Sequence, residues 1–390
     1  MKLLTTLAAA ALAAVLPLAG CAATSTASSQ ASSATSTVAA TATASTTDTT
    51  TTSTTAASVV DVDWSSLPTT NVTLTDEGLA ITEAGTYVLT GSSTGQVTVD
   101  TDGNVRIILD DATINSSVGA AIQVDNAESV VLELADGTTN TVSDAATRSD
   151  EEIDGAIYSA DDLVITGNGT LNVTATFADG IVGKDDLWIE SGTINVTSAD
   201  DGIRGTDSLT IDGGTITINA TGDGMKSSND SDLGKGVLTI NGGTITITTG
   251  DDAIKAEQLL TINGGTIDVV QSVESIEAPV IVINDGDITI NASDDGINAS
   301  ASDIITDGLS ITINGGNLSI TMASGDTDAI DSNGDLTITG GTIDITAQSP
   351  FDYDGTGSLT GGTITVNGQQ VTELSNQMMG GQMGGGPGGR

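Results

Sequence analysis

The sequence predicts an all-β protein built as a right-handed parallel β-helix, a solenoid of about 22 residues per coil. Three observations carry this. First, Gly-Gly-Thr-Ile recurs from Gly213, Gly242, Gly264, Gly340 and Gly361, with variants from Ser191, Asp285 and Gly315. The aligned Thr-type position falls at 170, 193, 215, 244, 266, 287, 317, 342 and 363, so insertions interrupt a steady period. Second, each repeat holds three short alternating patterns, such as Leu209-Thr210-Ile211, Ile216-Thr217-Ile218 and Gly224-Met225-Lys226, each burying one face. Third, Pro numbers 5 in 390 residues and β-branched residues dominate the repeats, which suits strands. One such triplet cannot bury its own apolar face, but stacked coils can. The crossover preference of parallel strands selects the right-handed sense.

The elements follow in chain order. Residues 1–21 read as a lipoprotein signal peptide: Lys2, an apolar run, then Leu18-Ala19-Gly20-Cys21, with the chain's single Cys where a lipobox demands it. Cys21 is therefore expected to carry lipid, which makes the mature protein extracellular, tied to the cell membrane only through that anchor. Residues 22–60 are Ala, Ser and Thr with almost no charge, a composition that cannot bury a core and predicts a disordered linker. Residues 61–375 form the β-helix, roughly 13 coils and about 60 Å at the inter-strand spacing. Residues 376–390, rich in Gly and Met, predict a disordered tail. The Asp or Asn before each Gly-Gly turn (Asp212, Asn241, Asn263, Asn284, Asn314) suits Asx-type turn chemistry.

Composition excludes several functions. There are 9 Lys+Arg against 52 Asp+Glu, a net charge of −43, and no His. A Ser-His-Asp triad, a His base and a His metal ligand are all absent. One Cys allows neither a disulfide framework nor a thiolate zinc site. Duplex DNA needs a basic footprint that this chain lacks. No nucleic-acid partner is expected, and the chain is read as a monomer. Oxygen ligands remain, and these suit hard cations such as Ca²⁺.

Aligning the coils on the third strand gives an inward column of Ile157, Ile181, Ile203, Met225, Ile254, Ile276, Ile297 and Ile330. Two positions earlier stand Asp179, Asp201, Asp223, Asp252, Glu274, Asp295 and Asp328, with Asp200, Asp251 and Asp294 beside three of them. Stacked carboxylates repel, so two readings fit: bound Ca²⁺, with Asp179, Asp200, Asp201, Asp223, Asp251 and Asp252 as ligands, or Asp-Gly turn chemistry. One position after the inward column stand Tyr158, Arg204, Lys226 and Lys255, with Lys184 at the edge of the preceding coil. These cations either quiet the acids by ion pairing or hold a polyanion. Trp188 faces outward on another strand and suits stacking on a sugar or packing under a loop. Insertions at 227–236 and 299–308 overhang the same edge.

Gly85-Thr86-Tyr87-Val88-Leu89, Gly119-Ala120-Ala121-Ile122, Asp136-Gly137-Thr138-Thr139-Asn140-Thr141, Asp154-Gly155-Ala156-Ile157-Tyr158, Asp179-Gly180-Ile181-Val182, Asp200-Asp201-Gly202-Ile203-Arg204 and Gly222-Asp223-Gly224-Met225-Lys226 occur in that order. Together they resemble a bacterial secreted family of carbohydrate-binding domain-containing proteins. Its founding type is a clostridial β-helix that binds cellulose and polygalacturonate and is akin to Ca²⁺-dependent pectate lyases. The resemblance implies a Ca²⁺-bearing β-helix that binds an acidic or cellulosic polysaccharide. Its lyase relatives use clustered Asp for Ca²⁺ and a basic residue to abstract a sugar proton. Here Asp179, Asp200 and Asp201 match the cluster and Lys226 the base, while Arg204 stands where a lyase-like site implies a further acid. The expectation is therefore calcium-dependent polysaccharide binding without catalysis. A pectate-type lyase and an adhesive surface stalk are the competing functions.

Overall fold

A computed structural model describes residues 62–325 and 327–376. The signal segment with Cys21, the linker and nearly all of the Gly/Met tail lie outside the described residues. Among the described residues no helix is long and apolar enough to cross a membrane.

The alternating repeats fold into parallel strands in two long sheets, of 24 and 12 strands. The larger sheet carries two ladders. One runs through Leu163–Gly167, Asp186–Ile189, Ser208–Ile211 and Val237–Ile240; the other runs through Thr170–Ala175, Thr193–Ser198, Thr215–Asn219 and Thr244–Thr248. The long strand Asn104–Asn115 joins them, pairing with Ser129–Leu134 by its first half and with Thr139–Ser143 by its second. The smaller sheet is the third ladder, through Gly155–Ser159, Asp179–Gly183, Ile203–Gly205, Met225–Ser227, Ile254–Ala256, Ile276–Glu277 and Ile297–Ala299.

The register stacks like on like. Thr193 pairs with Thr215, Ile216 with Ile245, and Leu238 with Leu260. Along the third ladder, Ile157, Ile181, Ile203, Met225, Ile254, Ile276, Ile297 and Ile330 succeed one another as partners, all buried. With the inward Leu and Ile of the other two ladders they form one continuous core, each fully buried side chain contributing roughly 1.5–3 kcal/mol. The second Gly of each Gly-Gly turn takes the left-handed backbone, as at Gly214 with φ 91°, where any other residue is strained.

Two features differ from expectation. The Asn residues before the turns do not close Asx turns but form an amide ladder between coils. Asn241 Nδ2 donates to Asp212 Oδ1 (2.7 Å), Asn263 to Asn241 and Asn284 to Asn263 (each 2.8 Å), and Asn314 to Asn284 (2.9 Å). In-register parallel stacking brings identical amides to bonding distance, which a turn read in isolation does not reveal. The parallel stack also ends in an antiparallel strand, Gln369–Val371, folded back on Thr363–Val366 through Asn367 (φ 50°) and Gly368 (φ 76°). This hairpin covers an edge that would otherwise accept another chain.

Candidate functional site

The outward edge of the third ladder collects the predicted acids and cations. The backbone rises into the short strands after Asp179, Asp201 and Asp223 through an Asp-Gly step, and into the next through Asp252-Ala253. Asp179, Asp223 and Asp252 are buried, Asp201 is half-buried, and Asp200 and Asp251 are exposed. Asp179, Asp201 and Asp223 each accept a hydrogen bond from the backbone of the acid one coil on. Asp201 N–H donates to Asp179 Oδ1 (3.1 Å), Asp223 N–H to Asp201 Oδ1 (2.8 Å), and Asp252 N–H to Asp223 Oδ1 (3.1 Å). Turn chemistry thus exists, but it runs between coils.

The second carboxylate oxygen of each buried acid meets a cation. Arg204 Nε donates to Asp179 Oδ2 (2.9 Å) and its guanidinium also reaches Asp154. Lys226 Nζ lies 2.8 Å from Asp223 Oδ2, and Lys255 Nζ lies 2.7 Å from Asp252 Oδ2 and also contacts Glu277. Arg204, Lys226 and Lys255 are in register, one strand after another. The cation row is therefore engaged within the ladder. Lys184 is half-buried and, among the described Lys and Arg, the one with no carboxylate at ion-pair distance.

Crowding perturbs the acids. Burial pushes the Asp179 carboxyl up to about 7 even though Arg204 opposes the shift. Burial first, then the Asp223 charge, also raises Asp201. Asp252 rises through burial and a hydrogen bond shared with Glu277. Burial disfavours the Lys226 ammonium, but Asp223 outweighs it and holds the amine protonated above its usual range.

Two predicted metal groups come together: Asp179, Asp200 and Asp201 offer oxygens within 4.8 Å of one another, and so do Asp223, Asp251 and Asp252. The absence of a side chain at Gly222 keeps the first group open, because a Cβ there would fall 2.7 Å from Asp201 Oδ1 and also strike Asp200 Oδ1. All-carboxylate oxygen donors of this kind fit a hard divalent cation. Two further groups were not anticipated. Asp252, Glu274 and Glu277 converge, but Lys255 Nζ already sits between Asp252 and Glu277. Asp162, Asp185 and Asp186 converge at the mouth of the first ladder, where a hydrogen bond with Asp207, then burial, pushes Asp185 up to about 6. The signal was present as Asp-Asp doublets at 161–162 and 185–186, one coil apart.

The remaining predicted residues separate. Tyr158 is half-buried in the outward column two strands before Arg204, and its phenol is raised by burial and then by Asp154. Trp188 lies on the first ladder, away from the cation row. It packs on Val164 and Val131, where Trp64 also packs, and its Nε1 donates to Asp212 Oδ2 (2.6 Å). Its contacts within the fold are with that patch and with Asp212. Sequence reasoning also missed Arg148. It is buried, pairs with Asp144, donates to the Gly155 carbonyl (3.1 Å) and lies 4.3 Å over the Phe177 ring. This pins the loop that delivers Asp154 to Arg204.

Residues 75–308 and 276–377 match the family described as carbohydrate-binding domain-containing protein. The chain belongs to that family. A curated carbohydrate-binding domain-containing protein of Acetivibrio thermocellus is 35% identical over 133 residues, which is 32% of this chain and 46% of the relative. The chain thus spans about half the length of the curated relative it matches. A solved structure, a polysaccharide lyase-like protein from C. thermocellum in a gadolinium derivative, is 32% identical with a TM-score of 0.50. It covers 55% of this chain and 93% of its own. All four carboxylate groups of this carbohydrate-binding domain lie within the first matched span.

Proposed function

We propose that this carbohydrate-binding domain is a right-handed β-helix of about 22 residues per coil that binds acidic or cellulosic polysaccharide, with Ca²⁺ and without catalysis, at the cell surface on a lipid anchor at Cys21. The observation that carries the reading is the pair of carboxylate groups on one solenoid edge, Asp179–Asp200–Asp201 and Asp223–Asp251–Asp252, in which the fully buried acids are ion-paired with Arg204, Lys226 and Lys255 and one acid of each group is exposed. Each joins acids held in place by the next coil to one exposed acid, Asp200 or Asp251, whose carboxylate makes no hydrogen bond within the fold. Those residues would hold Ca²⁺, and a bound divalent cation supplies the positive charge that a uronate carboxylate needs on so acidic a surface.

The chain's own residues argue against turnover. A lyase base must be neutral to accept a proton, whereas Asp223 keeps Lys226 charged and Arg204 is committed to Asp179 and Asp154. The lyase-like name of the solved relative keeps that alternative open to a direct assay: unsaturated uronate product from polygalacturonate would establish it. The binding test is a polygalacturonate and cellulose pull-down in Ca²⁺ and in EDTA. Chelation should weaken the polyuronate more than the neutral glycan. The double variant Asp200→Ala, Asp251→Ala should weaken polyuronate binding at least tenfold, about 1.4 kcal/mol. Equal binding in both buffers would reject the calcium role.

A further inference from the structure

On the outer face of the first ladder one column runs in register from Val131 through Val164 to Trp188. It continues through Thr210, Thr239, Thr261, Val282 and Thr312, one coil at a time. None of these residues is charged, in a chain with 52 Asp+Glu. From Val237 onward both flanks are uncharged as well. Half-buried Val237, Leu259 and Val280 stand in register on one side, and the Asn241 to Asn314 amide ladder stands on the other. A parallel sheet does not require this neutrality. The matching outward column of the second ladder passes from Thr246 to Asp268 without losing its strand pairing.

The head of this strip holds both of the chain's tryptophans. Trp64 and Trp188 pack on Val131 and Val164, which are 6% and 4% exposed, while both indoles are only half-buried. Trp64 is presented by the turn Trp64–Ser66, closed by Asp63, whose Oδ1 accepts from Ser65 N–H (3.1 Å). Trp188 is held in orientation by its bond to Asp212. Seating the 62–67 segment needs an apolar patch, which the two valines and Trp64 supply. It does not need a second indole, oriented by a hydrogen bond and left half open at the end of an uncharged column.

We propose that this strip is the site for neutral polysaccharide: an extended β-1,4-linked glucan lies along the solenoid axis, its pyranose faces stacked on Trp188 and Trp64 and its hydroxyls on the Thr column. The inference rests on the carbohydrate-binding reading above, and it gives the neutral ligand a face of its own that needs no metal. A neutral sugar cannot replace the water stripped from a carboxylate, so its surface has to be free of charge. Indole offers a broad apolar face with one polar handle, and Asp212 already holds that handle on Trp188. Coils repeat at about 4.8 Å, close to the rise of one pyranose in such a chain, so each coil offers one sugar a hydroxyl and a methyl group.

The test is calorimetric titration with cellohexaose in EDTA, with tryptophan emission followed in parallel. Wild type should bind with a change in emission. Trp188→Ala and Thr239→Asp should each weaken binding at least tenfold. Thr239→Asp places a charge in mid-strip, two coils past Trp188, and leaves both indoles in place. Thr246→Asp adds the same charge to the second ladder, next to Asp268, and should leave the affinity unchanged. Equal affinity of wild type and Thr239→Asp would overturn the strip, and so would equal losses in Thr239→Asp and Thr246→Asp. Binding without a change in tryptophan emission would overturn it too. If cellohexaose fails to bind while oligogalacturonate binds in Ca²⁺, only this inference falls; if no glycan binds in any buffer, the function proposed above falls with it.

Discussion

Asp201→Asn tests the metal reading, because it removes a candidate ligand charge while leaving the coil contact in place. The asparagine side-chain oxygen can keep the bond that Asp201 Oδ1 accepts from Asp223 N–H at 2.8 Å, so the coil contact survives. What disappears is a charge whose oxygen lies within 4.8 Å of Asp179 and Asp200. At an effective dielectric of 20, two charges at that separation repel by about 3 kcal/mol; exposed Asp200 sits nearer the water limit of about 1 kcal/mol. Lys226 offsets part of this. In EDTA at pH 8 the variant should therefore melt higher than wild type. In Ca²⁺ at 100 times its dissociation constant, wild type should gain about 2.7 kcal/mol. That corresponds to a rise of roughly 4 °C for a domain of about 315 residues. The variant, with one ligand fewer, should show less than half of that rise. Differential scanning calorimetry in both buffers reads all four values. Wild-type melts that coincide in Ca²⁺ and EDTA would refute the metal site, and a variant less stable than wild type in EDTA would refute the repulsion argument.

Arg148→Ala should destabilise the domain by about 3–5 kcal/mol in urea unfolding, because it strands Asp144 in a pair whose side chains are 2% and 0% exposed; a loss under 1 kcal/mol would contradict this. Asp331 supplies a pH test: burial and then Asp295, Asp352, Asp328 and Asp354 push its carboxyl up to about 7 from 3.8. A folded-state value above the unfolded one means that the folded form binds the extra proton, so stability should fall as pH rises from about 4 through 7. Asp331→Asn should flatten that fall, leaving the melting temperature unchanged near pH 4 and raised at pH 8. Cys21→Ala should shift the protein out of the membrane fraction or block its processing, whereas a mature-length chain still bound to the membrane would reject the lipid anchor.

The core was legible because it depends on period alone. Once Ile181, Ile203 and Met225 are aligned, stacking fixes which face is inward, and the strand register follows. The acid and cation columns were legible for the same reason. Their roles were not, since the partner of Asp179 is the backbone of Asp201 and the partner of Asp223 is Lys226, and each choice depends on how high one coil rides over the next. The amide ladder shows the same limit: Asn263 reads as a turn residue until Asn241 and Asn284 are placed above and below it. Arg148 was invisible because it occurs once, in an insertion that no repeat alignment constrains. The contact from Trp188 to Asp212 spans 24 residues and crosses a coil boundary, so local pattern could not distinguish it from an open aromatic.

A solenoid multiplies each residue choice along its axis, so a stacked acid creates a problem that must be solved at every coil. This chain solves it unevenly. Asp179 and Asp223 each have a backbone N–H on one oxygen and a cation on the other, and Asp252 has Lys255. After Lys255 the outward column changes to Glu277, Asn298 and Asp331, and the cations stop. Beyond that point Glu274 is pushed up to about 7 and Asp295 to about 6, each chiefly by burial, as Asp179 is within the paired stretch. The edge is thus divided into a half whose outward column supplies cations to its buried acids and a half whose outward column does not. In the first half the exposed acids Asp200 and Asp251 stand beside buried neighbours that are fixed by ion pairs. An ion bound there, as proposed above, could leave without collapsing the coil beneath it.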